Sequence, residues 1–304
     1  MNAFDVSVGI SPRQSFESWA AFVAGLEAEG VGRVWVIDSQ LAMKDVYAGL
    51  VVAALNTHRI GLGTGVTNAV TRHPSVTANA IAAVDEISHG RAMLGMGAGD
   101  SALYGIGLKP QKLAEVEAAI DYFRAHVANT VPIFLAVSQQ RMCELAGRVA
   151  DGAIVMGPAR PELVQRQVEW IRSGGPRKGF EVALIAPTST DIEDMRSWAS
   201  TQARLLTYHK ELPESLERFR AELTRSEETY DYSKHLSPAA DHSDSVSDEL
   251  VRALAVVGSP QECAARLTEL RAAGVDRLIF PIAGRNRLER WKRIRDVILS
   301  QIIV

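Results

Sequence analysis

Few cysteines, little net charge and no long hydrophobic run are the first features of this 304-residue sequence. Its two cysteines, Cys143 and Cys263, cannot form a disulfide framework and lack the spacing of metal ligands, so we interpret both as packing residues. A net charge of −3 gives no electrostatic basis for binding nucleic acid or an anionic membrane. The sequence shows neither the roughly 18 uninterrupted apolar residues of a membrane span nor a signal peptide. These absences predict a cytoplasmic enzyme that acts on a small molecule, with no nucleic-acid or membrane partner.

Common catalytic motifs are absent as well. The seven histidines do not show the spacing of metal ligands on one helix, so we predict no metal site. The sequence contains no Walker loop, no Gly-x-Ser-x-Gly and no dinucleotide-binding glycine fingerprint after a strand. Function must therefore be inferred from the fold and from the place of its polar residues.

Short apolar runs alternate with segments of helical periodicity along the chain. The predicted strands are residues 6–10, 33–37, 60–67, 91–96, 131–137, 152–156, 180–187 and 277–281. Helices are predicted between them and at the end, over residues 286–303. Eight such units are typical of an α/β protein with a (β/α)8 TIM barrel, and an open doubly wound sheet is the alternative. We predict one domain over residues 1–304, with a mainly helical insertion after strand seven at about 188–257 that is irregular over 229–247.

The stretch from residue 60 to residue 100 carries the most information. Glycine stands at every second position of the third strand, at Gly61, Gly63 and Gly65, which indicates a bulge or a close backbone approach. Pro74 suits the first turn of the following helix. The fourth strand then runs into a second glycine-rich turn, at residues 97–100. Two consecutive βα units of this kind indicate a parallel α/β protein.

In a TIM barrel the active site lies at the carboxyl ends of the strands. The residues that fall there are Gly9, Ser11, Asp38, Ser39, Gln40, Gly65, Val66, Thr67, Asn68, Arg72, His73, Gly97, Ala98, Gly99, Asp100, Gly157 and Gly284. Most are glycine or small polar residues, which let a flat ligand lie close to the main chain. The helix starts after Gly97 and Gly157 favour a phosphate group. Several of these residues also have a structural interpretation: Asp38 as a loop cap, His73 as a helix-start residue, and Ser259 elsewhere as an ordinary N-cap.

Four segments resemble the luciferase-like flavin or deazaflavin oxidoreductases. They are VWVIDSQLAMKDVY at 34–47, IGLGTGVTNAVTRHPSVTANAIAAVDEISHGRAMLGMGAGD at 60–100, ADGAIVMGP at 150–158 and VVGSPQECAARLTELRAAGVDRLIFPIAG at 256–284. Within this family the sequence looks most like the methylenetetrahydromethanopterin reductase branch. The similarity extends over nearly the whole chain except about 187–247, and the 60–100 segment is the most specific part.

The resemblance implies a TIM barrel, a homodimer, and coenzyme F420 or FMN held at the strand ends. It places a cis peptide at Gly65–Val66 behind the cofactor ring and makes Asp38 the ring-contacting and catalytic acid. The implied cofactor-binding residues are Asp38, Ser39, Gly65, Val66, Thr67, Asn68, Gly97, Ala98, Gly99, Asp100, Gly157 and Pro158. If Asp38 were not catalytic, His235 in the irregular segment would be the next candidate.

The sequence departs from that branch on the substrate side. The branch has a carboxylate in strand one where this sequence has Gly9, and a longer connection before strand five than the one through Asn129 and Thr130. We therefore expect a roomier, less charged substrate side and a substrate other than the pterin. Three functions stay open: F420-dependent hydride transfer, an FMN-dependent monooxygenase, and a non-catalytic flavin-binding or ligand-free barrel.

Overall fold

A closed barrel of eight parallel strands forms the centre of the protein. The computed structural model describes residues 4–127, 131–208, 212–230, 246–284 and 286–302. The barrel strands are β1 Phe4–Val8, β2 Arg33–Val36, β3 Gly61–Thr64, β4 Ala92–Met96, β5 Ile133–Val137, β6 Gly152–Val155, β7 Glu181–Ile185 and β10 Arg277–Pro281. They follow one another in that order around the barrel, and β10 closes it against β1. The predicted TIM barrel is confirmed, and the open doubly wound sheet is excluded.

Helices cover the outside of the barrel. They are α1 Phe16–Ala28, α2 Val46–Leu55, α3 Pro74–Ser88, α4 Asp100–Tyr104, α5 Leu113–His126, α6 Gln140–Val149, α7 Pro161–Ser173, α8 Arg196–Thr207, α9 Glu214–Glu217, α10 Arg220–Glu228, α11 Asp248–Leu254, α12 Pro260–Ala272 and α13 Arg287–Arg293. Pro74 and Pro161 occupy first-turn positions of α3 and α7, as predicted. The C-terminal helix is shorter than the predicted 286–303, because a π-helical turn, Ile294–Ile298, and a 3₁₀ turn, Leu299–Gln301, follow α13.

A helical segment separates β7 from β10, where the sequence predicted an insertion. Two short parallel strands, β8 Thr188–Ser189 and β9 Val256–Val257, pair at its two ends. Helices α8 to α11 lie between them. Most of the predicted irregular segment, including His235, lies outside the described residues. The assignment of residues 1–304 to a single domain stays a prediction.

Strand β1 begins two residues before its predicted start. Its register against β10 pairs Phe4 with Leu278 and Ser7 with Pro281. Polar residues at positions 5 and 7 alternate with Val6 and Val8, which belong to the core cluster. This alternation directs the polar side chains into the barrel. A prediction based on short apolar runs therefore misses the first residues of β1.

The interior of the barrel is charged at one end. Asp5 is fully buried and pairs with Arg277 through two hydrogen bonds, one of them from Nε to Oδ2 at 3.0 Å. Trp35 Nε1 also donates to Asp5 Oδ2 at 3.3 Å. Beside them Arg33 pairs with Glu181. Burial raises the pKa of Asp5 above its usual range, while Arg277 opposes that rise.

Apolar side chains fill the barrel above this charged layer. Trp35 packs edge-on against Phe134, with ring centroids 5.2 Å apart, and both belong to one cluster with Met93 and Ile279. A second, larger cluster lies between the strands and the outer helices. Within the described ranges, no helix is long and apolar enough to span a membrane.

Replacing Asp5 with Asn should lower the free energy of unfolding by about 3–5 kcal/mol, because Arg277 would stay buried without its counter-ion. Urea denaturation of the cofactor-free protein measures the change. The matched control is Glu117→Gln, which breaks the solvent-exposed pair between Arg148 and Glu117. That change should cost less than about 1 kcal/mol. Equal losses in the two variants would contradict the structural importance of the charged layer.

Candidate active site

A cavity of about 330 Å³ lies at the carboxyl ends of the barrel strands. Nine of the predicted cofactor-binding residues line this strand-end cavity: Asp38, Ser39, Gly65, Val66, Asn68, Gly97, Ala98, Gly99 and Asp100. Its apolar surface includes Trp35, Ala136, Ile154, Met156, Ile185 and Ile279. The structure thus brings together predicted residues from three separate βα turns of the sequence at one concave site.

Strand β3 contains a bulge at the cavity wall. Gly63 lies opposite Met93 on β4, and the next pairing joins Thr67 to Met96. The chain advances four residues on the β3 side but three on the β4 side, so β3 holds one extra residue, which defines a β-bulge. The peptide bond Gly65–Val66 within it is cis, as predicted.

Close packing explains the glycines around this bulge. A Cβ atom on Gly63 would lie 2.5 Å from the Trp35 ring, and one on Gly65 would lie 2.7 Å from Trp35 Cβ. Directly after β4, a Cβ on Gly97 would approach the Val66 side chain at 3.1 Å. The Thr64 hydroxyl donates to the carbonyl of Gly95 at 2.7 Å and accepts from its N–H at 3.0 Å. Thr64 therefore replaces ladder hydrogen bonds that the bulge interrupts.

Asp38 lies at the end of β2 in a network of donors. Its Oδ2 accepts from Thr67 Oγ1 at 2.7 Å and from Arg72 Nη1 at 2.6 Å, and its Oδ1 accepts from Gln40 Nε2 at 2.9 Å. Arg72 also donates to Asp45, the N-cap of α2, at 2.7 Å. These contacts fix the orientation of the Asp38 side chain, which is only 4% exposed.

Two opposing effects act on the pKa of the Asp38 carboxyl. Burial raises the pKa of its carboxyl above the ordinary value, because a buried carboxylate loses hydration. The Arg72 guanidinium and the Thr67 hydroxyl oppose this rise by favouring the ionised form. Such a carboxyl is poised for proton exchange or for anchoring a polar ligand atom.

Two side-chain amide nitrogens in the cavity wall have no hydrogen-bond partner in the described part of the chain. Asn68 Nδ2 and Gln139 Nε2 are buried donors without a hydrogen bond. Both residues line the strand-end cavity. Buried polar groups are normally satisfied, so these donors indicate a ligand with acceptor atoms. Together with the apolar floor and the glycine-rich walls, they fit a flat heteroaromatic ring of the flavin or deazaflavin type.

The insertion covers one side of the cavity. Helix α8 contributes Trp198, Thr201, Arg204 and Leu205 to its lining. The guanidinium of Arg204, which is 1% exposed, pairs with Asp100. Asp100 therefore connects the turn after β4 to the insertion through an ion pair, besides lining the cavity.

Three predicted cofactor-binding residues are buried but do not line the cavity. The hydroxyl of Thr67 donates a hydrogen bond to Asp38. Gly157 faces α7, where a Cβ would lie 3.4 Å from the Gln167 amide, and Pro158 is buried next to it. Gln167 Nε2 holds this turn by donating to the carbonyl of Met156 at 3.3 Å, and it also donates to the carbonyl of Ser138 at 3.0 Å. A role for these three residues in binding a cofactor stays a prediction.

The structural interpretations of two other residues are confirmed. His73 is the N-cap of α3 and its ring nitrogen accepts from the Ser75 N–H at 3.2 Å. Ser259 forms a capping box with Glu262 at the start of α12. These residues stabilise helix starts.

The substrate side differs from expectation at Gly9. The side chain of Met43 lies where a Cβ of Gly9 would point, 2.5 Å from it, so the expected extra room is filled by a flexible side chain. Gly9 and Ser11 line a second cavity, of about 700 Å³, together with Arg13 and Arg287. We call it the arginine-lined cavity. It shares the side chains of Ser7, Ile37 and Trp198 with the strand-end cavity.

Reasoning from the sequence missed several residues of this region. Gln139 was not among the candidate residues, and α8 was predicted only as part of a mainly helical insertion. Arg204 could have been found, because it stands between Ala203 and Leu205 in that insertion. Asp5 could have been found from its place among alternating apolar residues.

The described residues offer neither a group of metal ligands nor a reactive thiol. These residues contain no group of three His, Cys, Asp or Glu side chains that could hold a metal ion. Both cysteines are buried, and burial raises the pKa of Cys143 to about 12 and that of Cys263 to about 11. Neither thiol is therefore suited to nucleophilic chemistry.

Known proteins resemble this chain in sequence and in structure. The family model for luciferase-like monooxygenases matches residues 2–125 and 110–277. A 5,10-methylenetetrahydromethanopterin reductase from Methanolobus tindarius is 29% identical over 312 residues, which cover 90% of this chain and 93% of the reductase.

Two solved structures illustrate the range of folds related to this one. The coenzyme F420-dependent tetrahydromethanopterin reductase from Methanopyrus kandleri has a TM-score of 0.79 at 21% identity and covers 98% of this chain and 99% of its own. The oxygenating constituent of 3,6-diketocamphane monooxygenase from Pseudomonas putida, in complex with FMN, has a TM-score of 0.64 at 15% identity and covers both chains completely. At these identities the two structures support the fold alone. The family model, which spans well over half of the sequence, shows that this chain belongs to the luciferase-like monooxygenase family.

Proposed function

We propose that this luciferase-like oxidoreductase uses coenzyme F420 to transfer a hydride to or from a small organic substrate. The observation that carries the proposal is the strand-end cavity, in which the β3 bulge, Asp38 and two unpartnered amide donors meet. The sequence similarity to the methylenetetrahydromethanopterin reductases supports the choice of F420 over FMN, because the solved reductase of that type is F420-dependent.

Different residues of the strand-end cavity would contact different parts of such a cofactor. Val66 and the cis peptide before it would support one face of the ring, while Asn68 and Gln139 would donate to its acceptor atoms. The turn at residues 97–99 would face the phosphate side. When bound, F420 supplies the carbon that accepts or releases the hydride, and the protein supplies orientation and electrostatics.

Asp38 is the residue that we propose for catalysis. Its raised pKa and its fixed orientation suit it to move a proton at the ring or to anchor a polar ring atom. Among the described residues lining the strand-end cavity, β1 contributes only Ser7. Asp5 of the same strand is buried against Arg277, so a carboxylate of strand one would not assist. We further propose that the active form is a homodimer.

The first prediction concerns cofactor choice. Titration of the cofactor-free protein with F420 should give saturable quenching of its fluorescence, whereas FMN should bind at least about tenfold more weakly, a difference of about 1.4 kcal/mol. Gly97→Leu should weaken F420 binding by a similar factor, because its side chain would enter the cavity beside Val66. Preferential binding of FMN would favour the monooxygenase, and failure to bind either cofactor would favour a ligand-free barrel.

The second prediction concerns turnover. Asp38→Asn should lower kcat by about 10²- to 10⁴-fold, because it removes proton exchange while keeping the size of the side chain. The assay follows F420 absorbance with a substrate identified by screening. Thr67→Val, which removes one donor to Asp38, should lower kcat less. Full turnover of a correctly folded Asp38→Asn variant would show that Asp38 is not catalytic.

The third prediction concerns pH. Arg72→Met removes the positive charge that lowers the pKa of Asp38, so this pKa should rise further above its usual value. Any step in F420 affinity or in kcat that follows ionisation of Asp38 should therefore move to higher pH. Comparison of pH profiles with wild type and with Arg148→Met, an exposed control, isolates the effect. Superimposable profiles for Arg72→Met and wild type would contradict the coupling.

A further inference from the structure

The arginine-lined cavity has an unusual charge balance. Arg13 and Arg287 line it, and none of its described lining residues is Asp or Glu. Both arginines also lack a carboxylate partner within the described ranges. The cavity opens beside the strand-end cavity and shares Ser7 with it. A positive, acid-free cavity therefore adjoins the place where we propose that the cofactor binds.

Arg287 is held in place by neutral groups. Its Nη1 donates to the carbonyl of Gly9 at 2.9 Å, and its Nη2 donates to Gln14 Oε1 at 2.6 Å. The guanidinium lies over the ring of Phe22, 4.4 Å from its centroid. Guanidinium has five N–H donors, so these two hydrogen bonds leave donors available for a further acceptor.

Three other arginines close to the barrel are neutralised by carboxylates. Arg277 pairs with Asp5, Arg72 with Asp38 and Arg204 with Asp100. Arg287 has only neutral acceptors, and burial lowers its pKa without a carboxylate to oppose the effect. A partly buried cation without a counter-ion is costly, and an anionic ligand would remove that cost.

We propose that the arginine-lined cavity binds the substrate and that this substrate carries an anionic group, a carboxylate or a phosphate, which Arg287 holds. The proposal rests on the proposed function, since it places the substrate beside the cofactor. Arg287 donates to the main-chain carbonyl of Gly9, and this neutral acceptor leaves the charge of the guanidinium unneutralised.

Geometry supports recognition of a planar or tetrahedral oxyanion. A guanidinium presents parallel donors that match carboxylate or phosphate oxygens, and such charge-assisted hydrogen bonds are stronger than neutral ones. Arg13 is exposed at the rim, where it would attract the anion and contribute less to its binding. Gln14 and Phe22 hold the Arg287 side chain in one place, which limits the entropy lost on binding.

Calorimetric titration of the full-length protein with inorganic phosphate and, separately, with acetate tests the proposal. We expect at least one of these anions to bind the wild type, both with and without F420. Arg287→Gln should weaken that binding by about tenfold or more, and Arg13→Gln by less than about threefold. Arg59→Gln, which removes the same charge before β3 at the opposite end of the barrel, should leave it unchanged. The anion that binds more tightly identifies the chemistry of the substrate group.

Three measurements distinguish anion binding by Arg287 from a purely structural role of this residue. They also distinguish a failure of this proposal from a failure of the proposed function. Arg287→Lys keeps the charge and should retain more anion affinity than Arg287→Gln at equal thermal stability. Equal anion binding by folded wild type and Arg287→Gln would overturn the proposal. So would displacement of F420 by the anion, which would place the anion in the strand-end cavity. F420 binding without any anion binding would overturn this inference alone, whereas absence of F420 binding would overturn the proposed function.

Discussion

The packing of Trp35 inside the barrel is the constraint on which the site depends. Its ring excludes a side chain from Gly63, and its Cβ atom and main chain exclude one from Gly65. Its indole N–H donates to the buried Asp5, and its ring packs edge-on against Phe134. It also lines the strand-end cavity. One side chain therefore links the charged end of the barrel to the cavity floor, and the bulge in β3 forms where the backbone passes over it. The alternating glycines, which predicted a bulge or a close backbone approach, lie where β3 passes close to Trp35.

Charge is distributed differently on the two sides of the mouth. At the strand-end cavity, Arg72 pairs with Asp38, which gives the buried carboxyl a defined orientation and opposes the rise of its pKa. On the adjoining side, Arg287 meets only neutral groups. The first arrangement suits a neutral ring whose polar atoms need an anchor. The second suits a ligand that brings its own negative charge, which is why we place cofactor and substrate in different cavities.

The insertion after β7 contributes side chains to both cavities and an ion pair to the turn after β4. Helix α8 places Trp198 in both cavities and Arg204 against Asp100. Because Arg204 is fully buried, its pairing fixes α8 to the turn after β4. Because α8 and Arg287 contribute to the lining of these cavities, we expect both to influence the choice of substrate.

The sequence by itself determined the alternation of strands and helices, the position of the strand-end cavity and nine of the residues that line it, because strand ends, helix starts and glycine spacing are local patterns. Its resemblance to a family also implied the cis bond at Gly65–Val66 and the importance of Asp38. Only the tertiary structure decided which charged side chains meet. Asp5 and Arg277 are 272 residues apart, and Arg72 reaches Asp38 across two βα units. Gly157 turned toward α7 and Met43 filled the space beside Gly9 for the same reason: such contacts depend on how elements distant in sequence pack in three dimensions, and periodicity carries no information about that packing.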